Sequence, residues 1–368
     1  MNLILLSPRN DLSGNRKLVT MFARELGTRH AVRILYPIVP DRAFTAHQRR
    51  PRSRLGVVKT VLGDVGRYVR HPSWRHGAAL NGSRVTVQAY WHAIPRRVVE
   101  SVDALVYFTP YQAMELSEVP RGREARVFYV MHDQTRTDGH VVDPELIRQT
   151  YGRADHLIAL SEETRRHLAE LGVACEGIVP AGVDTACFHP NDSAHSGPPS
   201  LLGYYWPGEP RKGASVLLSA LEQVRSRHPE IPIGLLTSNG VRASGYPTYS
   251  NLTEQELAGL YRRYAIFIYP SSAGEGFALP PLEAMASGCG VVATRVGAVG
   301  EYARHEVSAL LCDPGSAEQL TAQIERFLRH PDVLSTIRRH AVADAQAWSW
   351  RHAAERLEQY LNTIVGHH

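Results

Sequence analysis

With 368 residues, 43% of them hydrophobic and 21% charged, the chain has the composition of a soluble globular protein and the length for two domains with separate cores. A formal net charge of +5 admits anionic partners without naming one. No apolar run is long enough to cross a bilayer, no nucleic-acid-binding motif appears, and no pair among Cys175, Cys187, Cys289 and Cys312 has zinc or redox spacing. Residues 1–6 lead straight into a strand pattern rather than a secretory signal, so the expected location is a reducing cytoplasm.

Residues 3–7 read as a first strand, Val19, Phe22, Ala23 and Leu26 recur at helical spacing, and residues 32–36 read as a second strand. Strand, turn, helix and strand in that order predict an α/β, doubly wound parallel sheet. The turn holds Gly14 and Asn15, which read equally as a surface βα turn or as a loop near a ligand. Residues 42–76 are strongly basic, with Arg49, Arg50, Arg52, Arg54 and Lys59 outnumbering Asp64, and Leu55, Val58, Leu62, Val65 and Val69 would form one stripe on a helix. Such a helix either packs on its own sheet with the arginines solvated or makes peripheral contact with an anionic membrane on its inner face.

Further strands are expected at residues 85–89, 104–108 and 127–131. The last runs into His132, at a strand end, where sheets of this kind bind ligands. Another strand at residues 155–160 is followed by Ser161 as a helix cap. Residues 179–190, punctuated by Gly182 and two prolines, read as a linker, and the polar residues 191–200 as a loop opening a second domain. Beyond it, strands are expected at residues 201–205, 232–237, 291–294 and 309–312, and helices at 215–227 and 317–328. Thr253 and Glu256 form a capping box, and Ser349-Trp350 starts a terminal helix.

The densest signal lies at residues 265–288. The apolar run 265–269 reads as a buried strand and residues 282–286 as a helix with Pro281 near its start, with Gly274, Glu275 and Gly276 between them. A strand, a glycine-containing loop and a helix start together aim backbone N–H groups at one point, which suits an anion. Glu275 and Glu283 are poor neighbours for phosphate but good acceptors for hydroxyls, so the pattern suits a ligand that carries both.

This Glu-x7-Glu stretch resembles the motif of retaining GT-B glycosyltransferases of glycosyltransferase family 4. The blocks from Gly203 to Lys212-Gly213, from Val179 to Asp184 with Phe188-His189-Pro190, and from Gly297 to Glu301 resemble further landmarks of that family, and the resemblance runs over roughly residues 155–363. It implies two Rossmann-like domains facing a cleft: residues 1–182 on the acceptor side, residues 183–348 for the nucleotide sugar, and residues 349–368 as a helix returning toward the first domain. It assigns Glu283 to ribose hydroxyls and Glu275 to the transferred sugar. Lys212 is assigned to the phosphates, the backbone of Gly276, Phe277, Ala278 and Leu279 to sugar and phosphate, and His132 to the reacting centre. Gly14 and Asn15 fall on the acceptor or diphosphate side. An arginine usually follows the strand glycine directly; here Tyr204 follows Gly203, so either Arg211 takes that part or the site has one cation fewer.

Expelling a diphosphate requires stabilisation of charge on the leaving oxygen. The sequence holds no Asp-x-Asp motif of the kind that carries a divalent metal in another class of glycosyltransferase, so the expected donor is a UDP, GDP or dTDP sugar handled without metal or cofactor. The acceptor is an unspecified hydroxyl. Sugar-nucleotide epimerases and phosphorylases share the fold, and a non-catalytic subunit that binds a sugar nucleotide is a further alternative.

Overall fold

The computed structural model describes residues 1–7, 14–37, 84–90, 94, 96–131, 144–152, 154–191, 199–237 and 240–366. His132 and the basic stripe at 42–76 lie outside them. The chain divides into two compact units, Met1–Pro180 with Trp350–His368, and Ala181–Ser349.

In the first unit the strands are β1 (Asn2–Leu6), β2 (Ala31–Pro37), β3 (Val85–Tyr90), β4 (Ala104–Tyr107), β5 (Ala125–Val130), β6 (His156–Ala159) and β7 (Gly177–Ile178). They form one parallel sheet in the order β3-β2-β1-β4-β5-β6-β7. Helices α1 (Gly14–Leu26), α2 (Arg96–Val99), α3 (Pro110–Ser117), α4 (Pro144–Tyr151) and α5 (Glu162–Glu170) connect them. Strands covered on both faces carry continuous apolar runs, and every residue of β4 and β5 is buried. Arg126 on β5 is tolerated inside because its guanidinium donates to Glu124 and to the carbonyls of Leu116, in the last turn of α3, and of Val119 and Pro120 just past it. Thr109 closes the start of α3 in a reciprocal capping box with Gln112, and Ser161 caps α5 through the Thr164 N–H. Gly14 and Asn15 are the first two residues of α1, not part of the preceding turn.

The second unit contains β8 (Leu201–Tyr205), β9 (Ile233–Thr237), β10 (Thr248–Tyr249), β11 (Ile266–Tyr269), β12 (Gly290–Thr294) and β13 (Leu310–Cys312). Its helices are α6 (Ala214–Arg227), α7 (Glu254–Arg263), α8 (Leu279–Ala286), α9 (Val299–Tyr302), α10 (Ala317–Arg329) and α11 (Pro331–Ala347). The sheet is parallel, in the order β10-β9-β8-β11-β12-β13. Leu217, Leu221 and Val224 of α6 pack with Leu320, Ile324 and Phe327 of α10 on one face of it. The strand order reverses between β8 and β11, which pair through Ile266 with Leu201 and Ile268 with Gly203. Connections leave such a pair toward opposite faces, so a crevice opens beyond the carboxyl ends of β8 and β11.

The terminal helix α12 (Trp350–Val365) belongs to the first unit. Trp350, Ala353, Ala354, Leu357, Leu361 and Ile364 form its buried stripe, and the Trp350 ring meets Phe22 of α1 edge-on at 5.6 Å. Glu358 accepts from His30 at 2.6 Å and pairs with Arg29 at 2.6 Å. Partly exposed pairs of this kind contribute up to about 1 kcal/mol. Burying one Trp or Leu contributes roughly 1.5–3 kcal/mol, so the apolar stripe holds the helix and the ion pairs set its register.

Candidate active site

Two loops meet at the crevice of the second unit. The β8–α6 loop turns at Trp206, where the Glu209 N–H reaches the Trp206 carbonyl at 3.3 Å. It then winds through a single 3-10 turn, Pro210–Lys212, led by a proline whose φ suits the position. Gly213 ends the turn at φ 68°, in the left-handed region, and a Cβ on it would lie 2.0 Å from the Pro270 carbonyl oxygen. Only glycine lets this loop lie against the β11–α8 loop at that distance. Beside that contact the Arg211 carbonyl accepts from the Ser272 N–H at 2.6 Å, the Ser272 hydroxyl at 2.9 Å and the Ser271 hydroxyl at 3.1 Å. The backbone carrying the two cations is thereby stapled to the backbone carrying Glu275.

Glu275 is the focus of the charges. Its Oε1 accepts from Lys212 Nζ at 2.6 Å and from Ser271 Oγ at 2.6 Å, with Arg211 Nη1 at 3.4 Å. Arg211 Nη1 also donates to the Gly274 carbonyl at 3.2 Å, and its Nη2 to Glu209 Oε2 at 2.6 Å. Burial pushes the Glu275 carboxyl toward its neutral form, but Lys212, Ser271 and Arg211 together more than offset this and hold its pKa below the ordinary 4.5. A carboxylate with a depressed folded-state pKa contributes stability that is present above its unfolded pKa and is lost as pH falls through the folded value. Between pH 5 and pH 3, native protein is therefore expected to lose more stability than Glu275→Gln, read as urea midpoints along a pH series. Parallel acid limbs for the two proteins would contradict the ion-paired assignment.

Helix α8 begins at Leu279, earlier than the sequence pattern indicated, with Pro280 at its second position. Neither Pro280 nor Pro281 has an N–H, so the donors at this helix start are those of Phe277, Ala278 and Leu279. Ala278 sits at φ 64°, a conformation that costs a residue with a Cβ free energy and has to be held by its surroundings. The Tyr302 hydroxyl holds it, donating to the Ala278 carbonyl at 2.7 Å. The Phe277 ring packs against Tyr302 at 5.4 Å and Trp348 at 5.8 Å, so its side chain is core while its backbone lines the crevice. Gly297, at φ 55°, passes so close to Glu275 that a Cβ would stand 2.9 Å from the Glu275 carbonyl oxygen. The block from Gly297 to Glu301 therefore buttresses the glutamate loop from behind.

Glu283 is buried, 4% exposed, one turn into α8 at its fifth residue. Burial, and then the Glu283 carboxylate, push the neighbouring Tyr261 phenol well above its ordinary pKa. Tyr204, in place of the expected arginine, stacks on Trp206 with centroids 4.9 Å apart and planes 10° apart, and Lys212 Nζ lies 5.9 Å from its ring. The second cation at Glu275 is Arg211, delivered from the 3-10 turn rather than from the strand end.

The geometry brings together Lys212, Arg211, Glu275 and the Gly276–Leu279 backbone in the second unit, with Glu283 one helical turn beyond. Gly14 and Asn15 stand at the start of α1 in the first unit, and His132 lies outside the described residues. Sequence reasoning passed over Glu209, Ser271, Tyr302 and Trp348. Ser271 carried a signal, as the second residue after an apolar strand that ends in a ligand loop; the other three act through contacts that no spacing reveals. Among the described residues no group of three or more His, Cys, Asp and Glu side chains could hold a metal ion.

Two parallel, doubly wound units, one with two loops stapled together at its switch point, define a GT-B-type fold. The model of the family described as "Glycosyl transferases group 1" matches residues 201–330, from β8 to the end of α10, and over that stretch the chain is similar to that family. It is 28% identical over 269 residues to a D-inositol 3-phosphate glycosyltransferase of Segniliparus rotundus, a match covering 65% of this chain and 60% of that protein. It is 33% identical over 206 residues to an MMP alpha-(1->4)-mannosyltransferase of Mycolicibacterium hassiacum, covering 51% of this chain and 48% of that protein. The matched region thus falls short of two thirds of either relative. Among solved structures, sucrose-phosphate synthase of Thermosynechococcus elongatus superposes with a TM-score of 0.73 at 16% identity, covering 100% of both chains. Anabaena HepE, solved in complex with UDP and glucose, superposes with a TM-score of 0.71 at 15% identity, over 98% of this chain and 99% of that one.

Proposed function

We propose that the protein is a retaining, metal-independent glycosyltransferase that moves a sugar from a nucleotide-sugar donor to a hydroxyl acceptor. The observation that carries this reading is the pairing of Lys212 and Arg211 with Glu275 at the switch point, just before a helix start whose N–H donors are those of Phe277, Ala278 and Leu279, with Glu283 buried in that helix. Lys212, Arg211 and those N–H groups take the diphosphate and stabilise the charge that builds on its leaving oxygen. Glu283 accepts ribose hydroxyls and Glu275 accepts hydroxyls of the transferred sugar. Glu275 serves binding and electrostatics rather than acting as a nucleophile, with Oε1 held by Lys212, Ser271 and Arg211 and Oε2 left to accept a sugar hydroxyl. The leaving phosphate itself takes the acceptor proton in a front-face transfer. The resemblance adds His132 near the reacting centre and Gly14 and Asn15 on the acceptor or diphosphate side.

The complex of HepE with UDP and glucose supports a uridine donor as the first to test. The relative named for D-inositol 3-phosphate supports a polyol hydroxyl as acceptor. No described helix is long and apolar enough to cross a membrane; a peripheral contact through residues 42–76 is a separate proposal that rests on their charge pattern alone.

The reading is tested by incubating the protein with labelled UDP-, GDP- and dTDP-sugars in EDTA. Slow release of free sugar and nucleoside diphosphate is expected without acceptor, and transfer with one, the new linkage keeping the donor's anomeric configuration by proton NMR. Interconversion of sugar nucleotides would mark an epimerase instead, and absence of turnover a binding subunit. Activity that disappears in EDTA and returns with Mg²⁺ or Mn²⁺ would remove the metal-free assignment.

A further inference from the structure

The charge count around Arg211 points to a residue that works against the ligand. Lys212 and Arg211 supply two cations, and Glu275 and Glu209 supply two carboxylates within salt-bridge distance of them. These two cations are therefore each matched by a carboxylate before any ligand arrives. The two carboxylates differ in how they are held. Glu275 has a side chain 9% exposed and three donors on one oxygen. Glu209 has a side chain 43% exposed and takes one hydrogen bond, from Arg211 Nη2.

Glu209 also stands where an acid is ordinarily put to another use. It precedes the 3-10 turn Pro210–Lys212 as its cap residue, yet its side chain makes no capping hydrogen bond, and Pro210 has no N–H to offer. The carboxylate is turned instead onto the guanidinium.

We propose that Glu209 is a built-in counter-anion, which a diphosphate must displace from Arg211 and which thereby sets the affinity of this site for diphosphates. The proposal rests on the reading of the loop pair as a diphosphate cradle and adds to it a residue that weakens the grip. Arg211 Nη1 is tied to the Gly274 carbonyl and to Glu275, so the guanidinium keeps its place when Glu209 swings into water. Nη2 then faces a phosphate oxygen, a partner that matches the guanidinium fork as a carboxylate does and carries more charge. Glu275 stays behind as the floor.

Calorimetric titration of the native chain, Glu209→Gln, Arg211→Gln and the double variant with inorganic pyrophosphate, UDP and GDP tests the proposal. Breaking a half-exposed ion pair costs up to about 1 kcal/mol, so Glu209→Gln is expected to bind diphosphate more tightly, by up to about fivefold. The gain is expected to vanish when Arg211 is already Gln. Equal or weaker binding by Glu209→Gln overturns the proposal, weaker binding meaning that Glu209 instead positions Arg211. The same gain in the Arg211→Gln background overturns it as well, as does failure of both native chain and Glu209→Gln to bind any of the three probes. A gain for pyrophosphate with no binding of UDP or GDP leaves the counter-anion in place and removes UDP and GDP sugars as donors instead.

Discussion

Lys212→Met is expected to lower turnover of the sugar nucleotide by about 10²–10³, the loss typical of removing one preorganised donor from developing charge. Lys212 Nζ, 2.6 Å from Glu275 Oε1 and with a side chain only 12% exposed, is the nearest cation in a crevice that otherwise relies on Arg211 and backbone N–H groups. The same substitution leaves Glu275 buried with Ser271 and a more distant Arg211. Breaking a buried ion pair outright costs about 3–5 kcal/mol; the two remaining donors should hold the loss below that range. The two effects separate in the double variant Lys212→Met with Glu275→Gln. Stability should return toward that of Glu275→Gln alone, because no unpaired charge remains, while turnover stays low. Single-variant turnover within about threefold of native would show that the leaving charge is stabilised elsewhere, since a positioned donor is worth far more than that.

Gly213→Ala is expected to be the most damaging single-methyl change in the second unit. The added Cβ meets a backbone carbonyl at 2.0 Å, which cannot rotate away as a side chain would, and the residue holds φ 68°. Gly315 supplies the control: it stands at φ 82° with nothing within 4 Å of its would-be Cβ, so Gly315→Ala reports the cost of conformation alone. That cost is about 1–2 kcal/mol. Gly213→Ala should exceed it by at least about 2 kcal/mol, and turnover should fall because Arg211 and Lys212 are displaced from Glu275. Denaturation of the two variants under the same conditions decides the matter; equal losses would show that the loops are not locked together at Pro270.

Much of this architecture is written in local pattern. The strand at residues 201–205 coincides with β8, the capping box at Thr253 opens α7 with both of its hydrogen bonds, and Ser161 caps α5, because each rests on interactions within a few residues. Lys212, Glu275 and Glu283 stood out through the resemblance to glycosyltransferase family 4, supported for the two glutamates by the glycine-containing loop between a buried strand and a helix. Helix α11 was overlooked, although Leu334, Ile337, Ala341 and Ala345 recur at helical spacing behind Pro331. That signal was legible and simply weak, with small alanines on the buried face. The remaining misses were not legible. Ala278 at φ 64° is set by the Tyr302 hydroxyl, twenty-four residues away, and Glu209 reads as an ordinary loop acid until Arg211 is seen to bridge it to Glu275. The departure at Tyr204 was visible and left two outcomes open, Arg211 in its place or one cation fewer; the choice between them was not legible, because Arg211 comes from a turn whose path is fixed by a glycine and a carbonyl across the crevice.

The central claim is that the loop pair of the second unit binds the diphosphate and ribose of a sugar nucleotide. Its most direct measurement is the thermal midpoint of the native chain and of Glu283→Gln across a concentration series of UDP-, GDP- and dTDP-sugars. A ligand at a hundred times its dissociation constant stabilises the native state by about 2.7 kcal/mol, well above detection. At least one donor is expected to raise the native midpoint along a saturating curve, and the folded Glu283→Gln protein to lose most of that shift. A flat response of the native chain to every sugar nucleotide, or an undiminished shift in Glu283→Gln, would contradict the assignment.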